Sequence, residues 1–201
     1  MPDRLSADGP GVARAAELLR NGALIAFPTD TVYGIGCRAG DPDALARLFA
    51  AKRRPIEKAV PWLVVSLDEA MAQGYHADPR AVELATHFWP GALTLILPAI
   101  DGLTTQGFRV PDHALALALL AAAGPLAVSS ANRSGEPETL DADDVAIAFA
   151  DSDEPAATLD GGRVPGGVAS SVLDLTGPHP RLVREGALPR VEIEAVIGPI
   201  D

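Results

Sequence analysis

Helical and extended patterns alternate along almost the whole chain, and this alternation limits the possible folds more than any other feature. Two amphipathic segments begin with an Asp-Pro pair, at Asp41 and at Asp78, where the aspartate would cap a helix and the proline would start it. Apolar runs such as residues 23–27 and 93–98 predict strands. We therefore expect an α/β fold with a twisted, mixed parallel and antiparallel sheet and surrounding helices. Clustered strands late in the chain predict the antiparallel part.

The length of the chain predicts one domain. It has 201 residues, and no repeat or low-complexity linker divides them. Because 48% of the residues are apolar, a large core can form, and because only 4% are aromatic, aliphatic side chains and alanine must fill most of it. We predict a single domain over residues 1–201.

Charge and cysteine content limit the possible functions. The formal net charge is −11, which disfavours a broad basic surface for a nucleic-acid backbone but leaves room for a local cationic pocket. The single Cys37 excludes an internal disulfide. No basic start followed by an apolar stretch is visible, and Gly124-Pro125 interrupts the uncharged residues 114–132. We expect a soluble, cytoplasmic protein without a membrane span.

Residues 27–36, FPTDTVYGIG, concentrate small hydrogen-bonding groups directly after a predicted strand. A plain turn needs only a few such residues. The glycines at 34, 36 and 40 are spaced one residue too widely for a dinucleotide-binding fingerprint, and the phosphate-binding sequence GxxxxGK[ST] is absent. The segment is therefore a candidate for binding a ligand of another kind.

A run of cations, Lys52, Arg53 and Arg54, ends a predicted helix. Cations at a helix C-terminus are favoured by the helix dipole and usually face solvent, which is the simpler interpretation of this segment alone. The alternative is that they meet an anion such as a triphosphate, because arginine donates two parallel hydrogen bonds to phosphate.

The segment AVSSANRSGEP (residues 127–137) follows another predicted strand. Ligands bind at the carboxyl ends of strands in open α/β sheets, although an ordinary polar turn explains the segment equally well. A nucleophilic serine is not expected, because there is no G-x-S-x-G sequence and no histidine nearby. The four histidines are scattered and lack metal-ligand spacing.

Three later segments carry weaker signals. Arg109 stands in an apolar strand, where it either meets a ligand or faces water from an edge strand. The glycine-rich residues 161–168 form either an anion-binding nest or a hairpin loop, of which the loop is the simpler reading. Arg184 and Glu185 end the last predicted strand, where they could simply be solvated.

Together these segments form an ordered pattern. The succession PTDTVYGIG, KRRP, FWPGALTLIL, FRVPDH, SSANRSGEP, GGVASSVLDLT and RLVREG resembles the YrdC/Sua5 family of L-threonylcarbamoyladenylate synthases over about residues 22–186. The resemblance implies a nucleotidyltransferase that makes threonylcarbamoyl-AMP and pyrophosphate from L-threonine, bicarbonate and ATP, with Mg²⁺ accompanying ATP. It also implies a separate transferase complex that passes the threonylcarbamoyl group to an adenosine of tRNAs that read ANN codons. The chain looks like the short form of the family.

The resemblance also implies a set of site residues. The residues matched to threonine binding are Thr31, Ser66, Arg109, Val128 and Ser170. The residues matched to nucleotide binding are Lys52, Arg54, Lys58, Thr105, Ser130, Asn132, Glu138 and Arg184. Lys52, Arg54, Ser130 and Asn132 would also stabilise the charge that develops on the phosphates, which is their expected catalytic role. No protein-bound metal site is implied.

This sequence departs from the family pattern at several of these positions. Ser66 stands where many relatives have histidine, Lys58 replaces a common asparagine, and Glu138 stands where a serine often contacts the nucleotide. A carboxylate at that place would repel phosphate unless it turns away. Ala169 replaces a common glutamate.

Two other functions remain as alternatives. One is a binding module for double-stranded RNA or tRNA, which the net charge of −11 disfavours, so any direct tRNA binding is expected to be weak. The other is a paralogue that performs a related carbamoyl or adenylyl transfer on another substrate.

Overall fold

The structure is a computed structural model that describes residues 3–53 and 59–201. Its strands are β1 (Asp3–Ser6), β2 (Ile25–Pro28), β3 (Tyr33–Arg38), β4 (Trp62–Leu63), β5 (Leu93–Pro98), β6 (Thr105–Arg109), β7 (Leu126–Ser130), β8 (Ala157–Asp160), β9 (Ser171–Asp174) and β10 (Arg181–Arg184). Its helices are α1 (Gly9–Arg20), α2 (Pro42–Lys52), α3 (Leu67–Ala72), α4 (Pro79–Phe88), α5 (Ala114–Ala123), α6 (Ala142–Ala148) and α7 (Arg190–Ile197).

The strands of the described residues form one mixed sheet, as predicted. Its order is β1-β8-β2-β3-β7-β4-β6-β5-β9-β10. The pairs β1–β8, β2–β8, β4–β6 and β5–β9 are parallel, and the other pairs are antiparallel. The antiparallel pairs therefore run through the centre of the sheet as well as through its late strands.

Side-chain caps start most of the helices. Asp41 accepts a hydrogen bond from the main-chain N–H of Ala44 at the start of α2, and Asp78 accepts one from Ala81 at the start of α4. These are the two Asp-Pro starts that the sequence predicts. Residues 114–132 form α5 and β7, with Gly124 ending the helix, and no helix of the described residues is long and apolar enough to cross a membrane.

The sequence patterns do not reveal β1, β3 or α3. Strand β3 carries Gly34 and Gly36, and glycine is depleted in strands because it has no side chain to pack. Here the packing requires glycine: a Cβ at Gly34 or Gly36 would lie 2.7 or 2.8 Å from the side chain of Val128 on neighbouring β7. The close approach of β7 requires glycine at these two positions. Residue propensity therefore does not predict strand β3.

Helices bury both faces of the sheet. Along β2, Ala26 packs with α2 and α6, whereas Ile25 and Phe27 pack with α1 and α5 on the opposite face. A third apolar cluster joins α4 and α7 to β5 and β6. The helical layers hold the middle strands rigidly, so that the side chains projecting from them have fixed positions.

Candidate functional site

A cavity of about 410 Å³ lies over one face of the middle strands. Alternate residues of β6 line it, namely Thr105, Gly107 and Arg109. This spacing of two is the period of a strand, so these three positions share one face of the sheet. The last three residues of β7, from Val128 to Ser130, border the cavity as well. The site residues from the sequence that line the cavity are Thr31, Thr105, Arg109, Val128, Ser130, Glu138, Ser170 and Arg184.

The turn between β2 and β3 presents Thr31 in a fixed conformation. The hydroxyl of Thr29 donates to the carbonyl of Val32 over 2.7 Å, and the main-chain N–H of Thr31 donates to that same hydroxyl over 3.2 Å. The two threonine hydroxyls lie 3.0 Å apart. Several of the small polar groups of this segment therefore bond one another, and Thr29 and Thr31 both line the cavity.

The glycine-rich segment 161–168 packs against this turn. The N–H of Gly167 donates to the carbonyl of Thr31 over 2.9 Å, and a Cβ at Gly166 would overlap the same carbonyl oxygen. Strand β8 pairs with β1 and β2, and β9 pairs with β5 and β10, so the segment is not a hairpin loop. The simpler interpretation of the sequence is wrong here, because long-range strand pairing separates the two strands.

Arg109 is buried on β6, between β4 and β5, and is only 6% exposed. The reading of this residue as a water-facing arginine on an edge strand is therefore wrong. Its guanidinium donates to the carbonyl of Gly91 over 2.9 Å, to the hydroxyl of Thr31 over 3.0 Å and to the carboxylate of Asp30 over 2.6 Å. Burial lowers the pKa of Arg109, and the charge of Asp30 opposes that shift. The guanidinium nevertheless stays protonated at neutral pH.

Ser170 precedes β9 at the same end of the cavity. Its hydroxyl lies 2.9 Å from the hydroxyl of Thr94, and both residues are buried. The exposed Arg184 donates from Nη2 to the carbonyl of Ser170 over 2.7 Å and from Nε over 3.1 Å. Arg184 thus ties β10 to the start of β9 and places its charge at the cavity wall.

Lys52 is buried, at 2% exposure, and does not face solvent. Its ammonium donates to the main-chain carbonyls of Ser130 and Asn132. The dipole interpretation therefore fails for Lys52, whereas Arg53 is exposed and pairs with Asp151. Lys52 does not line the cavity. Its two hydrogen bonds fix the main chain at the end of β7, which borders the cavity. Arg54 and Lys58 lie outside the described residues.

Asn132 likewise supports the cavity wall without lining it. Its Oδ1 accepts a hydrogen bond from the hydroxyl of Ser130 over 2.6 Å, and its Nδ2 donates to the carbonyl of Glu136. The residue is buried. The S-x-N pair therefore fixes the loop that leaves β7.

Ser66 is placed away from the cavity lining. Its hydroxyl caps α3, where it accepts a hydrogen bond from the main-chain N–H of Glu69 over 3.1 Å. Ser66 is not part of the described cavity lining, and its predicted contact with the amino acid stays a prediction. The sequence pattern of Ser66 and Glu69 is a helix-start signature that could have shown the cap.

The charged residues of the described cavity lining are Arg109, Arg184 and Glu138. Arg109 is paired with Asp30, so Arg184 in the wall and Lys52 behind it supply the remaining positive charge of the site, in a chain of net charge −11. Glu138 adds a negative charge to the wall. Its Oε2 is shielded from solvent, and no described residue donates a hydrogen bond to it. The remaining positive charge favours an anionic ligand.

Three supporting residues are missing from the sequence-based site. They are Thr29, which shapes the turn, Asp30, which holds Arg109, and Thr94, which meets Ser170. The first two stand within the PTDT sequence that already marked this segment. Thr94 has no local signal, because it stands in the apolar run of β5 and only the pairing of β5 with β9 brings it to Ser170.

The chain is similar to several known proteins. A threonylcarbamoyl-AMP synthase of Bacillus subtilis is 42% identical over 208 residues, which cover 98% of this chain and 60% of the relative. One of Chromohalobacter salexigens is 41% identical over 177 residues, covering 82% of this chain and 92% of that protein. The structure of Pyrococcus abyssi Sua5 complexed with L-threonine matches with a TM-score of 0.91 at 38% identity, covering 100% of this chain and 62% of that one.

The chain thus spans about 60% of the length of the first curated relatives that it matches. The family model Sua5/YciO/YrdC, described as "Telomere recombination", matches residues 17–186, which include every residue that lines the cavity. Together with the relatives above, that match shows that the chain belongs to the Sua5/YciO/YrdC family.

Proposed function

We propose that this protein is a threonylcarbamoyl-AMP synthase, a nucleotidyltransferase that uses L-threonine, bicarbonate and ATP. The observation that carries the proposal is the convergence of Thr31, Arg109, Ser170, Ser130 and Arg184 on one cavity, although they lie far apart in the sequence. The names of the relatives and the threonine complex of Pyrococcus abyssi Sua5 support it.

The amino acid would bind beside Arg109. The bonds to Gly91, Thr31 and Asp30 leave further N–H groups of the guanidinium for a carboxylate, which it would bind by charge-assisted hydrogen bonds. The hydroxyls of Thr31 and Ser170 would accept from or donate to the remaining polar groups of threonine. Val128 lines the same wall and would contribute through its main chain.

The nucleotide would bind toward the loop that leaves β7. Ser130 and Thr105 would line that part of the wall, while Lys52 and Asn132 would act by holding the main chain in place. Arg184, which donates to the carbonyl of Ser170, would extend its charge toward the phosphates from the other end of the cavity. Arg54 and Lys58, which lie outside the described residues, would add cations for the phosphates. Mg²⁺ would accompany ATP and neutralise part of the phosphate charge.

The reaction would need alignment and charge stabilisation but no covalent enzyme intermediate. The threonine amine attacks bicarbonate, forming an N–C bond and releasing water. A carbamate oxygen then attacks the α-phosphorus, and the bond to the β-phosphate breaks to release pyrophosphate. Preorganised cations would stabilise the charge on the transferring phosphoryl group, and the cavity would shield the carbamate from water.

The product is a mixed anhydride, which is an activated carbamoyl donor. A separate transferase complex acting on tRNA would consume it. Direct tRNA binding by this chain is a weaker proposal, since phosphate-backbone binding grows with the number of cationic contacts and the chain has a net charge of −11.

An ATP–pyrophosphate exchange assay tests the proposal. Exchange should require both threonine and bicarbonate, and mass spectrometry should detect threonylcarbamoyl-AMP. Exchange that proceeds without threonine, or none at all with both present, would contradict it. Faster exchange with another amino acid would instead indicate the paralogue, and tRNA affinity far above ATP affinity would favour the binding module.

A further inference from the structure

One oxygen of the Glu138 carboxylate has no hydrogen-bond partner among the described residues. In the part of the chain that the structure describes, nothing donates a hydrogen bond to Oε2 of Glu138, and the atom is shielded from solvent. A charged acceptor removed from water without a hydrogen bond is costly. The carboxylate therefore needs a donor or a cation. Glu138 lines the cavity described above and also a second one, of about 580 Å³, beside Arg133 and Asp151. The first of these holds the other proposed site residues, so a ligand there would supply the missing partner.

Its main-chain neighbours hold Glu138 in this position. On one side, the N–H of Tyr33 donates to the carbonyl of Thr139 over 2.9 Å, which ties the loop to β3. On the other side, Nδ2 of Asn132 donates to the carbonyl of Glu136. The carboxylate is thus presented by a loop that is anchored on both sides and that begins at Ser130.

A bare carboxylate is unfavourable beside phosphates, because like charges repel. The proposed function brings a triphosphate to the Ser130 side of the same cavity, so a direct approach of phosphate to Glu138 would weaken ATP binding. A divalent cation removes the conflict, since Mg²⁺ is typically bound by one or two carboxylates together with the phosphates of a substrate. The described residues contain no cluster of three His, Cys, Asp or Glu side chains that could hold a metal.

We propose that Glu138 is a protein ligand of the Mg²⁺ that enters with ATP. This inference rests on the proposed function. One oxygen of Glu138 and oxygens of the phosphates would coordinate the cation, and water would complete the coordination shell. Nucleotide binding by this chain is therefore coupled to Mg²⁺ through a residue that other sequences of this pattern often lack.

Calorimetric titration of ATP tests the coupling, once with excess Mg²⁺ and once with EDTA. The variants are Glu138→Gln, which keeps the shape and removes the charge, and Glu136→Gln, an exposed carboxylate that does not line the cavity and serves as the matched control. In the unaltered protein we expect tighter binding of Mg²⁺–ATP than of metal-free ATP.

The Glu138→Gln variant should lose at least about tenfold in affinity for Mg²⁺–ATP, the lower limit for weakening a metal site. Its affinity for metal-free ATP should rise, because the repulsion is gone. Mn²⁺ in place of Mg²⁺ gives a second measurement: the electron spin resonance spectrum of the protein–ATP–Mn²⁺ complex should change in this variant alone. Should Glu138→Gln fail to fold, as judged by circular dichroism, Glu138→Ser replaces it.

Other outcomes would overturn the inference. An equal loss of affinity for both forms of ATP would mean that Glu138 accepts a hydrogen bond from the nucleotide itself. Unchanged affinities would mean that it has no part in binding. If the unaltered protein bound neither form of ATP, the proposed function would fail together with the inference, whereas intact ATP binding with an unchanged metal preference would remove the inference alone.

Discussion

The two ends of the cavity differ in how many of their polar groups are already bonded. At the end proposed for threonine, Arg109, Thr31 and Ser170 are buried and hydrogen-bonded to Asp30, Gly91 and Thr94. At the end proposed for the nucleotide, Ser130 is bonded to Asn132, but no described residue donates a hydrogen bond to Oε2 of Glu138.

The difference indicates two modes of recognition. The threonine end is preorganised, so a small zwitterion would lose little affinity to the ordering of side chains. The nucleotide end is held through its main chain, by Lys52 and Asn132, and would complete its bonding when phosphates and cation arrive. Threonine-end substitutions should therefore affect folding and threonine affinity together, while nucleotide-end substitutions should act chiefly on ATP.

Arg109→Ala should have the largest effect. It leaves the half-buried carboxylate of Asp30 with the N–H of Asp112 as its remaining described partner. Because breaking a fully buried ion pair costs about 3–5 kcal/mol of unfolding free energy, the loss here should lie at or below the lower end of that range. Threonine binding should be lost as well. Urea unfolding and calorimetry measure the two effects. Arg163→Ala is the control, because it breaks an exposed pair with Asp141 that should contribute at most about 1 kcal/mol. Equal effects of both substitutions would show that the threonine end is not preorganised.

Lys52→Met should come next. It removes hydrogen bonds from a buried ammonium to the carbonyls of Ser130 and Asn132, and bonds to charged groups contribute about 1.5–3 kcal/mol each. ATP affinity should fall more than threonine affinity, because the loop after β7 loses its support. Arg53→Met, at the adjacent exposed cation, is the control. A larger loss of threonine affinity than of ATP affinity would reverse the assignment of the two ends.

Gly166→Ala should have a smaller effect, about 1–3 kcal/mol, the usual cost of overpacking a tight site. The added methyl would overlap the carbonyl oxygen of Thr31, so the turn that presents the Thr31 hydroxyl must move and threonine affinity should decrease. Gly9→Ala, where nothing lies within 4 Å of the added atom, should leave threonine affinity unchanged. Thermal unfolding and threonine titration of both variants would check this.

Cys37, buried on β3 and not part of the cavity lining, should give the smallest effect at neutral pH. Burial raises the pKa of its thiol to about 11. Since the unfolded chain ionises first, near pH 9, the folded state retains a proton that the unfolded state has lost, and stability should fall as pH rises from 9 toward 11.

The slope should be at most about 1.4 kcal/mol per pH unit for this group. Cys37→Ala should make that part of the stability curve flatter, as measured by urea unfolding at several pH values. Tyr33, whose pKa burial raises to about 12, adds a similar decline at higher pH in both proteins. An unchanged slope would mean that the thiol is not protected by the sheet.

Much of the fold follows from local patterns. The Asp-Pro starts of α2 and α4 and the apolar runs of β5 and β7 are read directly from the residues, since capping and periodicity act within a few positions. Strand β3 is the exception that matters for the site. Its glycines look unfavourable for a strand until β7 is placed beside them.

The site residues also divide into features that the sequence predicts and features that it does not. The ordered motifs pointed to Thr31, Arg109, Ser130 and Ser170, and the structure brings these four together at one cavity. The patterns did not separate residues that line the wall from those that support it, such as Lys52 and Asn132. They also did not show that Ser66 caps α3. Distinguishing lining from support requires knowing which side chains are buried.

By itself, the sequence determined the class of fold, the acidic net charge and the order of the motifs, because these depend on composition and on short-range periodicity. Only the tertiary structure decided that Asp30 bonds Arg109 and that Thr94 meets Ser170. Each of these contacts depends on residues that are far apart in the chain and on strands that pair out of sequence order. Long-range strand pairing brings them together, and local sequence carries no record of it.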